Sequence, residues 1–153
     1  MNTYEKLQEE ACKDGIDVID YPFKSKKIKG LYCDGTIAIK DNIDTTTEKA
    51  CVLAEEIGHY YTTVGNILNQ KNTENRKQEI KARKWAVDKM LTIEDVFEAT
   101  EHPCSNLFEI AEYLEVTEEF LLEALEIFKK RYGHSYTYKG KTIIFCDYGF
   151  CIK

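Results

Sequence analysis

A chain of 153 residues, 43% hydrophobic and 31% charged, amounts to about one ordinary domain and has globular rather than disordered or fibrous composition. Its 27 acidic against 21 basic residues leave a net charge of −6, which disfavours general nucleic-acid binding, since that needs a basic surface to displace counterions. The apolar runs fall far short of the roughly 20 residues that a membrane helix needs. The opening MNTYEKLQEE is polar, with no apolar targeting segment, so a soluble cytoplasmic protein is expected.

The six cysteines, Cys12, Cys33, Cys51, Cys104, Cys146 and Cys151, include no CxxC pair. Without an export signal they read as reduced thiols rather than as a disulfide framework.

In chain order, residues 3–14 form an amphipathic helix with Tyr4, Leu7 and Ala11 at helical spacing, ended near Gly15. Residues 28–40 hold two β-prone runs around Asp34-Gly35, a strong hairpin dipeptide. Thr45-x-x-Glu48 is a capping box opening a helix whose apolar positions are Ala50, Leu53, Ile57 and Tyr60 or Tyr61. Gly65 and the polar stretch 69–75 interrupt the pattern. A second long helix over about 75–91 follows, carrying Ile80, Trp85, Val87 and Leu91. Pro103 marks a break, and 105–130 read as two helices around Glu115-Val116-Thr117, the second capped by Thr117. The end has two β-rich runs joined at Lys139-Gly140. An α+β fold follows, with a core over 1–100, a helical appendage over 101–133 and a β-hairpin over 134–153 packing back on the core.

The stretch that carries chemistry is Ala54-Glu55-Glu56-Ile57-Gly58-His59. Each helical residue advances about 100° and about 1.5 Å, so Glu55 and His59 share a face on neighbouring turns, with Glu56 close beside them. H-E-x-x-H metallohydrolases use this geometry: two ligands at i and i+4, and a Glu that activates water. Here Glu55 stands at the first ligand position, where a carboxylate oxygen can serve. Glu79 is the candidate third ligand, reachable if the next helix returns antiparallel. Cys51, on the same face, lies about 12 Å from His59 along the axis and cannot share one ion with it. The motif alone is short, and glutamate pairs on helices are commonly solvated charge.

Three segments in order resemble the ImmA/IrrE family of metallo-endopeptidases, in particular its short phage and mobile-element type. They are Cys51-Val-Leu-Ala-Glu-Glu-Ile-Gly-His-Tyr-Tyr-Thr-Thr63, then Asn75-Arg-Lys-Gln-Glu79-Ile-Lys-Ala82-Arg-Lys-Trp85-Ala86, and the helical region Asn106 to Phe120. The resemblance spans about residues 28–133. It implies a zincin-like domain with an active-site helix, a small antiparallel sheet and a helical C-terminal appendage. It also implies zinc, peptide-bond hydrolysis and a protein substrate, often the repressor of a mobile element. Carried over residue by residue, His59 is the second ligand, Glu79 the third and Glu56 the general base.

Glu55 departs from the family's usual histidine. An O, N, O donor set is harder than N, N, O, which opens the site to manganese or iron. Three carboxylates together, without a cation, should raise at least one of their pKa values. Tyr60 and Tyr61 read either as oxyanion-stabilising phenols or as core aromatics, and the strand over 36–40 as the receiver of an extended substrate. The alternative function is a catalytically degenerate fold acting as an interaction, or anti-repressor, module.

Residues 105–128 outline a helix-turn-helix, but they carry seven glutamates and no Lys or Arg. Phosphate would repel such a recognition helix, so protein docking rather than DNA contact is expected there. His102 and His134 stand apart and read as surface or hydrogen-bonding histidines.

Overall fold

The structure is a computed structural model that describes residues 1–62, 72–102, 106–147 and 149–153, with side chains in the third helix from Arg76 onward. The chain forms two compact units, Met1–Met90 and Leu91–Lys153.

The first unit begins with α1 (Thr3–Lys13), where Asn2 and Glu5 form a capping box and Tyr4, Leu7 and Ala11 are buried as the spacing requires. Strand β1 (Asp17–Tyr21) leads to the hairpin of β2 (Gly30–Cys33) and β3 (Thr36–Lys40). Asp34 and Gly35 both have positive φ, 46° and 79°, which the type I′ hairpin turn demands. Sheet order is β1-β3-β2. β2 pairs antiparallel with β3, and β1, for which the sequence reading had no strand, pairs parallel with it. β3 is therefore central, with Ile37 and Ile39 fully buried.

Helix α2 (Thr46–Thr62) buries Ala50, Leu53, Ala54 and Ile57. Its expected capping box is half formed: the Thr45 hydroxyl accepts from the Glu48 N–H, while the Glu48 carboxylate turns to Lys29. Helix α3 (Asn72–Met90) starts inside the polar stretch expected to interrupt the pattern. Its buried positions are Ala82, Ala86 and Val87, whereas Ile80, expected inward, is exposed. Small residues face α2 because the helices nearly touch: a Cβ on Gly58 would lie 2.4 Å from the Ala82 carbonyl oxygen.

The second unit holds α4 (Ile93–Thr100), α5 (Leu107–Leu114), α6 (Glu118–Tyr132) and an antiparallel sheet β4-β5-β6 (Ser135–Tyr138, Lys141–Cys146, Gly149–Ile152). Thr117 caps α6 by accepting from the Phe120 N–H, and Glu115, at φ 58°, ends α5 in the left-handed conformation. Lys139 and Gly140 make the expected turn with positive φ, but the terminal segment has a third strand, β6, beyond the expected hairpin. The unit boundary falls at 90/91 rather than at the 100/101 expected. The reason is α4: the Phe97 ring packs against Tyr138 at 5.5 Å between centroids, and the Tyr136 hydroxyl donates to Glu94 at 3.2 Å.

Among the described residues no helix is long and apolar enough to cross a membrane. Cys12, Cys33, Cys51, Cys146 and Cys151 are in no disulfide. Cys104, Gly65 and the break at Pro103 lie outside the described residues.

Candidate functional site

On α2, Glu55 and His59 stand one turn apart on one face, and on α3 Glu79 and Arg83 do the same. The helices run antiparallel, so His59 meets Glu79 and Glu55 meets Arg83. The first pair is His59 Nε2 to Glu79 Oε1 at 3.3 Å; the second is Glu55 Oε1 to Arg83 Nη2 at 3.5 Å. The Gly58–Ala82 contact fixes this register, because only a residue without Cβ lets the two backbones come so close. The antiparallel return that would bring Glu79 back to His59 is thus present, at the place where the smallest side chains meet.

His59 is buried, at 5% exposure. Burial pushes its imidazole pKa down, but the hydrogen bond that it donates to Glu79 and the charges of Glu56, Glu79 and Glu55 carry it above the ordinary value. Glu79 is correspondingly lowered by its hydrogen bond with His59, against the effect of its own partial burial. Desolvation raises Glu55, with Arg83 pulling the other way. Glu56, half-buried beside them, is pushed up to about 7, first by desolvation and then by Glu55 and Glu79, while His59 and a hydrogen bond from the Tyr32 backbone oppose the rise. Desolvation is thus the main cause, and the neighbouring carboxylates add to it. Strand β2 passes directly over Glu56: a Cβ on Gly30 would lie 2.9 Å from Glu56 Cγ and 2.8 Å from Val52 Cγ1.

A tetrahedral ion with bonds of about 2.0–2.2 Å holds neighbouring donors about 3.3–3.6 Å apart. The His59–Glu79 separation of 3.3 Å fits that spacing, and the surplus of carboxylates fits a divalent cation. The other ring nitrogen, His59 Nδ1, is buried without a hydrogen-bond partner. Glu55 is turned onto Arg83 instead, and among the described residues no three His, Cys, Asp or Glu side chains form a ready metal-holding group. Two of the three expected donors are therefore placed together, and the third is drawn aside.

Tyr61 does not face the site. Its hydroxyl donates to Asp14, the residue that caps the C-terminus of α1, an interaction that raises its pKa to about 12, and its ring stacks on Trp85 at 5.2 Å. Tyr60 packs edge-on against Tyr32 at 5.8 Å. β3, expected to receive a substrate strand, has neighbours on both sides, and β2 is the edge strand beside α2. His102 lies 2.7 Å from the Tyr113 hydroxyl, as a hydrogen-bonding histidine. Sequence reasoning missed Arg83 and Gly30. Arg83 was findable from its spacing, since Glu79 and Arg83 repeat on α3 the i, i+4 pattern of Glu55 and His59.

Comparison with curated proteins and with solved structures returned no match. The family profile of the IrrE N-terminal-like domain, Peptidase_M78, matches residues 11–126, a span that includes the whole of α2 and α3. An α+β domain with a histidine-bearing helix, a glutamate-bearing helix and small sheets is the architecture that such a zincin-like, metallopeptidase-type domain requires, and the chain belongs to this ImmA/IrrE family.

Proposed function

We propose that this protein is a metal-dependent endopeptidase in which Glu55, His59 and Glu79 hold a divalent cation and Glu56 is the general base. The observation that carries the reading is the buried His59 Nε2 set 3.3 Å from Glu79 Oε1, beside a carboxyl whose pKa is about 7. The cation is zinc, with manganese or iron admitted by the carboxylate-rich set. When bound, it supplies Lewis acidity to the scissile carbonyl and to the attacking water.

The chain's own residues supply the proton transfers. A base titrating near neutral pH combines availability with driving force, and burial gives Glu56 that property. Glu56 takes a proton from water on its carboxylate oxygen and delivers it to the leaving amine. The Tyr32 N–H restrains the carboxylate from the β2 side. β2, an edge strand, receives the substrate in extended form. The substrate is a regulatory protein, a mobile-element repressor, met in the cytoplasm. The acidic surface of α5 and α6 suits a basic DNA-binding partner better than it suits DNA.

The test is metal content of the purified protein against His59→Ala and Glu79→Ala. Both variants should lose metal and thermal stability together, because binding free energy is also folding free energy. Full occupancy in Glu79→Ala would remove it from the ligand set. The Glu55–Arg83 pair favours a second reading, an interaction module that keeps the fold with a closed ion pair at the first ligand position; wild-type protein that cleaves no candidate repressor with any of the three metals would support it.

A further inference from the structure

Arg83 is the one cationic side chain that the described geometry sets against the proposed ligands. It stands one turn beyond Glu79 on the same face of α3, and its Nη2 lies 3.5 Å from Glu55 Oε1. Its charge also acts on Glu79, lowering that carboxyl. A guanidinium stays charged at every pH a protein experiences, so Glu55 cannot shed this partner by titration of Arg83. The backbone cannot relieve the pair either, because the Gly58–Ala82 contact locks the register of the two helices. What can move is the side chain: that of Arg83 is 37% exposed and that of Glu55 29%, which leaves the guanidinium a route to solvent.

We propose that Arg83 is a latch on Glu55: it holds the first-ligand carboxylate away from His59 and Glu79, and a divalent cation must displace it to recruit Glu55. This rests on the reading that His59 and Glu79 hold the cation. Arg83 is then a positioning residue that sets metal affinity through Glu55. Its charge stands in for part of the positive charge that the carboxylates otherwise lack, and it repels an incoming cation at the same time. Both effects weaken binding, so neutralising Arg83 should tighten it. Even at the dielectric of water, a unit charge about 6 Å from a divalent ion is worth about tenfold in affinity.

The experiment titrates zinc into metal-free full-length protein against a chromophoric competing chelator. It compares wild type, Arg83→Met, Arg83→Gln, Arg83→Lys, Glu55→Gln and His59→Ala, with circular dichroism confirming the fold of each. Arg83→Met and Arg83→Gln should bind zinc about tenfold more tightly than wild type, and Arg83→Lys, which keeps the charge, should not. In a Glu55→Gln background the part of the gain that runs through the Glu55 pair, up to about fivefold, should vanish while the part from charge repulsion remains, since the double-mutant cycle isolates the pair; an undiminished gain there overturns the latch. Using two neutral variants guards against one that fails to fold. Unchanged or weaker binding in the neutral Arg83 variants, with binding still lost in His59→Ala, overturns the latch and leaves the metal site standing. Wild-type affinity in His59→Ala overturns the metal site, and the latch with it.

Discussion

Replacing Gly58 by alanine sets two effects of opposite sign against each other. Alanine is the better helix former, by about 0.8–1.0 kcal/mol in a helix interior. Against this, the new Cβ would lie 2.4 Å from the Ala82 carbonyl oxygen and 3.1 Å from the Ala82 carbonyl carbon and Cα. All three atoms are backbone, so no side chain can swing aside and α2 and α3 must part. Overpacking of this kind costs about 1–3 kcal/mol and occasionally more. At a contact this short the upper part of the range applies, leaving Gly58→Ala about 1–2 kcal/mol less stable than wild type after the propensity gain. Trp85 is the only tryptophan and sits on α3, so urea unfolding followed by its fluorescence reports the first unit alone. Parting the helices also lengthens the His59–Glu79 separation, so zinc affinity should fall with stability. A variant about 1 kcal/mol more stable than wild type, as propensity alone dictates, would refute the close-contact argument.

Glu56→Gln keeps size and hydrogen bonding but takes no proton, so metal content should survive while cleavage falls about 10²-fold or more; near wild-type cleavage would remove Glu56 from the mechanism. In metal-free protein the same substitution tests the raised pKa. A group raised from 4.5 to about 7 in the folded state contributes stability that is present below its unfolded value and lost as pH rises through about 7. Wild type should therefore lose stability relative to Glu56→Gln between about pH 4.5 and 7, by up to about 3 kcal/mol, and parallel pH profiles would contradict the shift. Charge reversal at Glu118, Glu119 and Glu123 should slow cleavage of a cognate repressor and leave a short unstructured peptide unaffected, with the difference shrinking at high salt; equal loss on both substrates would mean that the fold was damaged.

What was legible in the sequence was local. The i, i+3 and i, i+4 apolar spacing placed α1 and α2, and Asp34-Gly35 and Lys139-Gly140 announced turns whose left-handed geometry the structure bears. The Thr117 cap was readable for the same reason: its partner is three residues away. What was hidden depended on distant partners. β1 holds the β-prone Val18, Ile19 and Tyr21, but it is mostly exposed and its parallel partner β3 lies beyond another strand in sequence, so its place in a sheet was not legible from the segment itself. The allegiance of α4 is decided by Tyr136 and Tyr138, some forty residues further on. Tyr61 was ambiguous on the helix pattern because its hydroxyl partner, Asp14, lies 47 residues away at the end of α1. Within the site, the i, i+4 stripe of α2 was plain, but the side-chain direction of Glu55 was not. Arg83 is one of several cations on α3, with Lys81, Lys84 and Lys89, and only the register of the two helices sets it opposite Glu55.

Glu55 and Arg83 must therefore be read together, and magnitudes decide between the two functional readings. A part-exposed ion pair with N···O of 3.5 Å is worth about 0–1 kcal/mol. Structural zinc binds with about 10–16 kcal/mol in small metal-dependent folds. A latch of that strength can tune a metal site, and it cannot by itself abolish one. If wild-type protein and Arg83→Gln both fail to hold a cation, the cause lies in the donors: one imidazole and carboxylates alone would be too weak a set at this spacing. The fold would then act through its surfaces. If Arg83→Gln gains metal and cleavage while wild type shows little of either, the donors are sufficient and the latch sets the threshold. The metal content of that single variant thus separates a lost site from a restrained one, a distinction that the Glu55 substitution viewed alone leaves open.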